Sequence, residues 1–180
     1  MPNTGISYRP VLADFLTPSY RIVGTTLVPP SGLIGTMNDI NTSFVEIQNA
    51  QLARLHEPNY IVDRYQMLRL VKDHVVAVCA ARRDDLGSGA MARSSLGQVI
   101  EYRVFISSRD YEFEGSLEWA GRFNIGSILA EAKKQFVPLF RVTINPVLFP
   151  DITINSPAVL INGSHYDLFA LAAQRKEVES

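Results

Sequence analysis

The sequence predicts a mainly β protein, α+β by content, built as two tandem diverged repeats of about four or five antiparallel strands and one short helix each. Three observations predict it. Tyr111 to Trp119 alternates apolar Tyr111, Phe113, Leu117 and Trp119 with polar Glu112, Glu114, Ser116 and Glu118, the period of a strand with one buried face. Asn124 to Gln135 then changes to helical spacing, with Ile125, Ile128, Leu129 and Ala132 recurring at i, i+3, i+4 and i+7. The chain also matches itself: at a shift of 91 residues Tyr20 falls on Tyr111, Gly24 on Gly115, Ile34 on Ile125, Gly35 on Gly126 and His74 on His165. At a shift of 92, Phe44 and Val45 fall on Phe136 and Val137. A fixed offset with matching local context points to an internal duplication.

Each repeat opens on an extended stretch, Tyr8 to Leu12 and Tyr102 to Ile106, set 94 residues apart. The second strand carries a glycine on its inward face, Gly24 or Gly115, which predicts a bulge, a sharp bend or the close approach of another backbone. The helix follows. In the second repeat Asn124 is its N-cap and Lys133 and Lys134 close its last turn; in the first, Leu33 to Asn41 has weaker helix formers and predicts one or two turns. Extended chain returns at Phe44 to Leu55 and Phe136 to Asn145, with Pro58, Pro146, Pro150 and Pro157 confined to turns, strand starts or edges. Each repeat closes on a hairpin signal, Lys72-Asp73 in the first and Asn162-Gly163 in the second. The boundaries are residues 1–81 for the first repeat, a Gly/Ser/Arg linker over 82–98, and 99–180 for the second repeat with a short polar C-terminal tail. Two small barrels or one pseudo-two-fold sandwich fit this inventory, and a shared core is favoured because ~80 residues bury little surface alone.

Composition narrows the function classes. The 180 residues are 47% hydrophobic and 19% charged, enough apolar material for a core. A formal net charge of −1 supplies no overall field toward nucleic acid or an anionic membrane. One cysteine excludes an internal disulfide, and three histidines leave few metal ligands. Met1 to Tyr20 has neither a basic start nor an apolar stretch of signal-peptide type, and the longest apolar run, Val75 to Ala81, is strand-sized. These features predict a cytoplasmic protein without a membrane partner, in which Cys79 is an inert core residue.

Ile34-Gly35-Thr36-Met37-Asn38-Asp39 followed by Phe44, and Ile125-Gly126-Ser127-Ile128-Leu129-Ala130 followed by Phe136, carry a resemblance. The layout resembles an uncharacterised bacterial β-domain family in which a strand, a short Leu-Ser-Asp-x-Leu-Asn helix and a Phe-initiated strand follow one another. Here Gly35 and Gly126 stand at the Ser position and Thr36 and Ser127 at the Asp position. The resemblance implies a β-rich fold with a capped helical turn and implies no activity.

Catalytic patterns are sparse. There is no Gly-x-Ser-x-Gly elbow, no phosphate-binding glycine loop after a strand, and no His or Cys near His74 and His165 in sequence to complete a metal site. The sequence therefore predicts a non-enzyme with no cofactor and no metal. Glu112, Glu114 and Glu118 share one strand face, whereas the first repeat has Arg21 and Val23 where the second has Glu112 and Glu114. An acidic face on one repeat against a basic or apolar one on the other suits head-to-tail association. The candidate binding residues are thus Arg21, Glu112, Glu114, Glu118 and Trp119. The function expected is protein interaction or assembly, as a homo-oligomer or an accessory subunit. The alternative is a small-ligand sensor with a pocket between the repeats near Trp119 and Phe123. Single-stranded nucleic acid, through Arg82, Arg83 and Arg93, ranks below both because Asp84 and Asp85 neutralise the first pair.

Overall fold

A computed structural model describes residues 5–91, 97–132 and 135–172. The first half runs β1 (Arg9–Leu16), β2 (Tyr20–Val28), α1 (Gly32–Asn38), β3 (Phe44–Arg54), β4 (Ile61–Val71), a 3-10 turn at Lys72–His74, and β5 (Ala77–Ala80). The second half repeats that succession as β6 (Val99–Ser108), β7 (Tyr111–Ala120), α2 (Ile125–Ala132), β8 (Phe136–Pro146), β9 (Ile154–Asn162), a 3-10 turn at Gly163–His165, and β10 (Tyr166–Leu171). All ten strands form one antiparallel sheet in the order β10-β6-β7-β8-β9-β5-β1-β2-β3-β4. The mainly β class with five strands and one α-helix per half is what the alternation and the single helical period predict. Among the described residues the sheet is open at β4 and β10, which corrects the expectation of paired barrels.

The halves agree in register as well as in order. Leu16 pairs with Ala77 and Ser107 with Leu168; Arg9 pairs with Val28 and Ile100 with Trp119. Both comparisons hold at a shift of 91 on each strand, which corrects the 94-residue offset expected for the opening strands. The β1–β2 and β6–β7 turns match too. Thr17 Oγ1 accepts the Tyr20 amide at 2.9 Å, and Ser108 Oγ accepts the Tyr111 amide at 3.0 Å. Such side-chain turns satisfy backbone donors that the strands cannot.

The expected hairpins at Lys72-Asp73 and Asn162-Gly163 are corrected by the pairing. Strand β4 does not pair with β5, nor β9 with β10; instead β5 lies between β1 and β9, and β10 pairs with β6. Both dipeptides turn corners. The Asn162 side chain explains one of them, since its oxygen accepts the Ser164 amide and its Nδ2 donates to Val75 O, which pins the corner across the seam to β5.

That β5–β9 seam is where the halves join. Val78, Ala80, Ala158 and Leu160 enter one apolar core with Phe15, Ile47, Leu33 and Phe140; Ala77, Cys79, Val159 and Ile161 enter a second with Tyr111, Phe113, Leu139 and Ile144. The two cores lie on opposite faces of the seam. A strand covered on both sides has no polar face to show, which is why Val75 to Ala81 reads as a continuous apolar run rather than an alternating one. Each core draws on both halves. Residues 82–91, expected to belong to a solvated linker, carry 3-10 turns at Arg83–Leu86 and Ser88–Ala90, and bury Leu86 and Ala90 against α1 and the first core. Apolar Leu86 and Ala90, spaced among charges and glycines, draw the segment in. Residues 92–96, including Arg93, lie outside the described residues, as do Lys133, Lys134 and the expected polar C-terminal tail beyond Ala172.

The paired glycines behave as the sequence predicts. The register shifts between Val23 and Thr25 against β3 and between Glu114 and Ser116 against β8, and the facing Asn49 and Arg141 take positive φ of 50° and 51°. Each half thus has a bulge opposite its glycine. A Cβ on Gly24 would overlap Ile47 Cγ2 and stand 2.9 Å from Gln48 O; one on Gly115 would meet Leu139 and Val142 methyls at 3.0 Å and Phe140 O at 3.1 Å. We expect Gly24→Ala to destabilise by about 2 kcal/mol and Gly115→Ala by about 1 kcal/mol, in the range for overpacking. Urea unfolding of both variants checks this, and equal or reversed losses would contradict it.

Candidate interaction surface

The two ends of the sheet are its least covered parts. Strand β4 spans eleven residues and, among the described residues, pairs on one side only. Its counterpart β9 is buried from Ala158 to Asn162 because β5 and both cores enclose it, whereas β4 leaves Val62, Tyr65, Met67 and Val71 exposed. Met67 is 55% exposed and Val71 45%. Its charges are Asp63 and Arg64 near the start and Arg69 near the end; Arg69 lies 3.5 Å from Glu46 and 5.1 Å above the Phe44 ring. At the far end, β10 exposes Leu168 by 48% and Leu171 by 37%, where its counterpart β5 is fully buried. Unpaired strand edges carry rows of free N–H and C=O groups, and large apolar side chains beside them favour addition of another strand.

The residues expected to form a binding face are dispersed. Arg21 is not a free basic group. Its guanidinium holds Asp14 at 2.7 Å, donates to Pro58 O at 3.1 Å, and retains 24% side-chain exposure. Strand β1 brings Asp14 to it across the first turn, two pairings from the Arg21–Leu16 contact. Glu112 and Glu114 do lie exposed on the outer face of β7. Glu118, on the same face, is half-buried and ion-paired with Arg83, whose guanidinium lies 4.0 Å over the Phe140 ring. Trp119 is half-buried beside Phe123, edge-on at 6.2 Å, and its Nε1 donates to Arg122 O. Phe123 in turn stacks on Tyr102 at 4.2 Å. The contrast between the outer faces therefore survives in part: the second half shows Glu112, Glu114, Arg103 and an Arg141–Glu101 pair, and the first shows Leu12 and Val23 with its Arg21 engaged.

Two clefts lie where the halves meet: one of about 220 Å³ lined by Asp14, Arg21, Cys79 and Ser156, and one of about 460 Å³ lined by Arg21, His56, Asn59, Asp151 and Asn155. The first is below the ~300–1,000 Å³ usual for small-molecule sites and the second is within it. Burial pushes the Asp14 carboxyl up from its ordinary pKa, against the lowering effect of Arg21, and leaves Asp14 Oδ1 without a hydrogen bond. Burial also pushes the Cys79 thiol up, which disfavours the reactive thiolate. His165 Nε2 lies 2.8 Å from Asp73 O at the joined corners, and His74 is exposed. Among the described residues no three His, Cys, Asp or Glu side chains gather as metal ligands, and no helix is long and apolar enough to cross a membrane.

Sequence reasoning missed the two edges as specific surfaces. One signal was present: Val75 to Ala81 is wholly apolar, while its counterpart Tyr166 to Ala172 contains Asp167, so one of two matched strands is enclosed and the other is not. Compared with protein-family models, curated proteins and solved structures, the chain finds no match in any of the three.

Proposed function

We propose that the protein is a non-enzymatic association module that works by adding strands at its sheet edges, as a homo-oligomer or an accessory subunit. The observation that carries this reading is β4: eleven residues, unpaired on one side among the described residues, with Tyr65, Met67 and Val71 exposed. A soluble chain normally blunts such an edge with several charges, a proline or a covering element. Here the stretch Tyr65 to Val71 carries one charge, Arg69, and no proline, with Asp63 and Arg64 just before it. The polar groups that converge elsewhere are ion pairs with structural partners: Arg21 with Asp14, Arg83 with Glu118, and Arg9 and Arg82 with Asp85. They hold elements together.

Sedimentation velocity across the micromolar range, with affinity capture from the native host, tests the reading. Association predicts a mass above one chain or a specific captured partner. A chain that stays monomeric and captures nothing would remove it.

A further inference from the structure

The β5–β9 seam is a template for what the free edges can do. It joins the last strand of one half to the fourth strand of the other: Ala77 pairs with Ile161, Val78 with Leu160, Cys79 with Val159 and Ala80 with Ala158. The same two kinds of strand end the sheet. By the register shared between the halves, β10 occupies the place of β5, with Leu168 to Leu171 for Ala77 to Ala80, and β4 occupies the place of β9, with Met67 to Leu70 for Ala158 to Ile161. One half thus already binds the other through a surface that each chain presents again at both ends, with no strand of the described residues upon it.

Resting on the association reading above, we propose that the partner is a second copy of this chain, and that β10 of one copy pairs antiparallel with β4 of the next in the register of the internal seam. Leu168 then lies opposite Leu70, Phe169 opposite Arg69, Ala170 opposite Leu68, and Leu171 opposite Met67. Of these eight residues only Arg69 is charged. The exposed side chains fall where the seam needs cover. Met67 and Arg69 stand in for Ala158 and Leu160, which in the internal seam face the neighbouring half's core, and Leu168 stands in for Ala77, which does the same from the other strand. Arg69 keeps Glu46 as a counter-charge beside the joint. Because the two edges differ, the contact is heterologous: each added copy uses one edge and offers the other, and the series runs on as a fibre or closes as a ring.

Edge-blocked variants test this on the full chain. Met67→Glu closes only the β4 edge and Leu171→Glu only the β10 edge, and both positions are exposed, so the fold should survive; circular dichroism and a melting curve check that, with Leu168→Glu as the substitute should Leu171→Glu fail to fold. The expected result is that wild-type chains assemble beyond dimers, each variant alone sediments as a single chain, and an equimolar mixture of the two forms a one-to-one dimer and nothing larger. Combining Met67→Lys with Leu171→Glu in one chain should restore assembly, since the two residues face each other across the joint. An oligomer unchanged by either edge variant would overturn this inference and leave the association reading standing. A wild-type chain that is monomeric yet captures a different protein would do the same. A monomer that captures nothing would end both.

Discussion

Gly87→Ala is expected to cost more than about 4 kcal/mol and to detach residues 83–91 from α1. Gly87 has φ 96° and ψ 164°, a region essentially closed to residues with a side chain. A Cβ there would overlap Ser31 O and stand 2.5 Å from Ser31 C and 3.0 Å from Gly32 Cα. Gly32, itself at φ 72°, leaves no room to retreat, because its own Cβ position lies 2.6 Å from Gly87 Cα. Two backbones therefore touch at this point, and no rotamer change can relieve the overlap. The segment must swing away, exposing Leu86, a side chain worth about 2 kcal/mol of burial. The backbone strain adds the rest. Denaturant unfolding gives the total, and amide exchange over residues 83–91 locates it. A loss below ~1 kcal/mol would show that the contact is slack.

Arg21→Ala is expected to destabilise by about 3 kcal/mol at neutral pH, the magnitude for stripping a counter-charge from a buried partner. Asp14 keeps only 15% of its side-chain exposure and depends on Arg21 for its hydrogen bonds. The pH dependence has a definite sign. The folded-state pKa of Asp14 already lies above its unfolded value, because burial outweighs Arg21. Its contribution to stability is therefore greatest below the unfolded pKa and declines as pH rises toward the folded one. Removing Arg21 deletes both lowering influences and pushes the carboxyl further up. The penalty should be full at neutral pH and shrink on acidification, as Asp14 takes up a proton. Asp14→Asn in the same background should recover part of the loss at pH 7. Melting temperatures of variant and parent between acid and neutral pH decide it; a gap that widens on acidification would contradict the assignment.

What the sequence disclosed was mostly local. The alternation of Tyr111 to Trp119 is β7, the Asn124 amide oxygen does accept the Ser127 amide at the start of α2, and the matched glycines do sit at matched bulges. What it concealed was pairing over distance. Asn162-Gly163 has the chemistry of a tight turn in either a hairpin or a corner, and only the site of the next strand's partner separates them. Arg21 lay on the polar side of its strand by period alone. Its neutralisation came from Asp14 on the adjacent strand, a pairing that depends on register around the Thr17 turn. The candidate surface was least legible. An edge is defined by the strand that is missing beside it, and β4 and β9 differ in their surroundings far more than in their spacing.

The seam also has a consequence in time. Ala80 and Ala158 are partners, and so are Ala77 and Ile161, so β5 leaves the ribosome about 80 residues before the strand that will cover it. At typical rates of synthesis that interval is on the order of ten seconds. Throughout it the first half carries a continuous apolar strand with one edge bare. On a polysome, where neighbouring nascent chains are close, a β9 strand from a chain further advanced is as good a match as the chain's own.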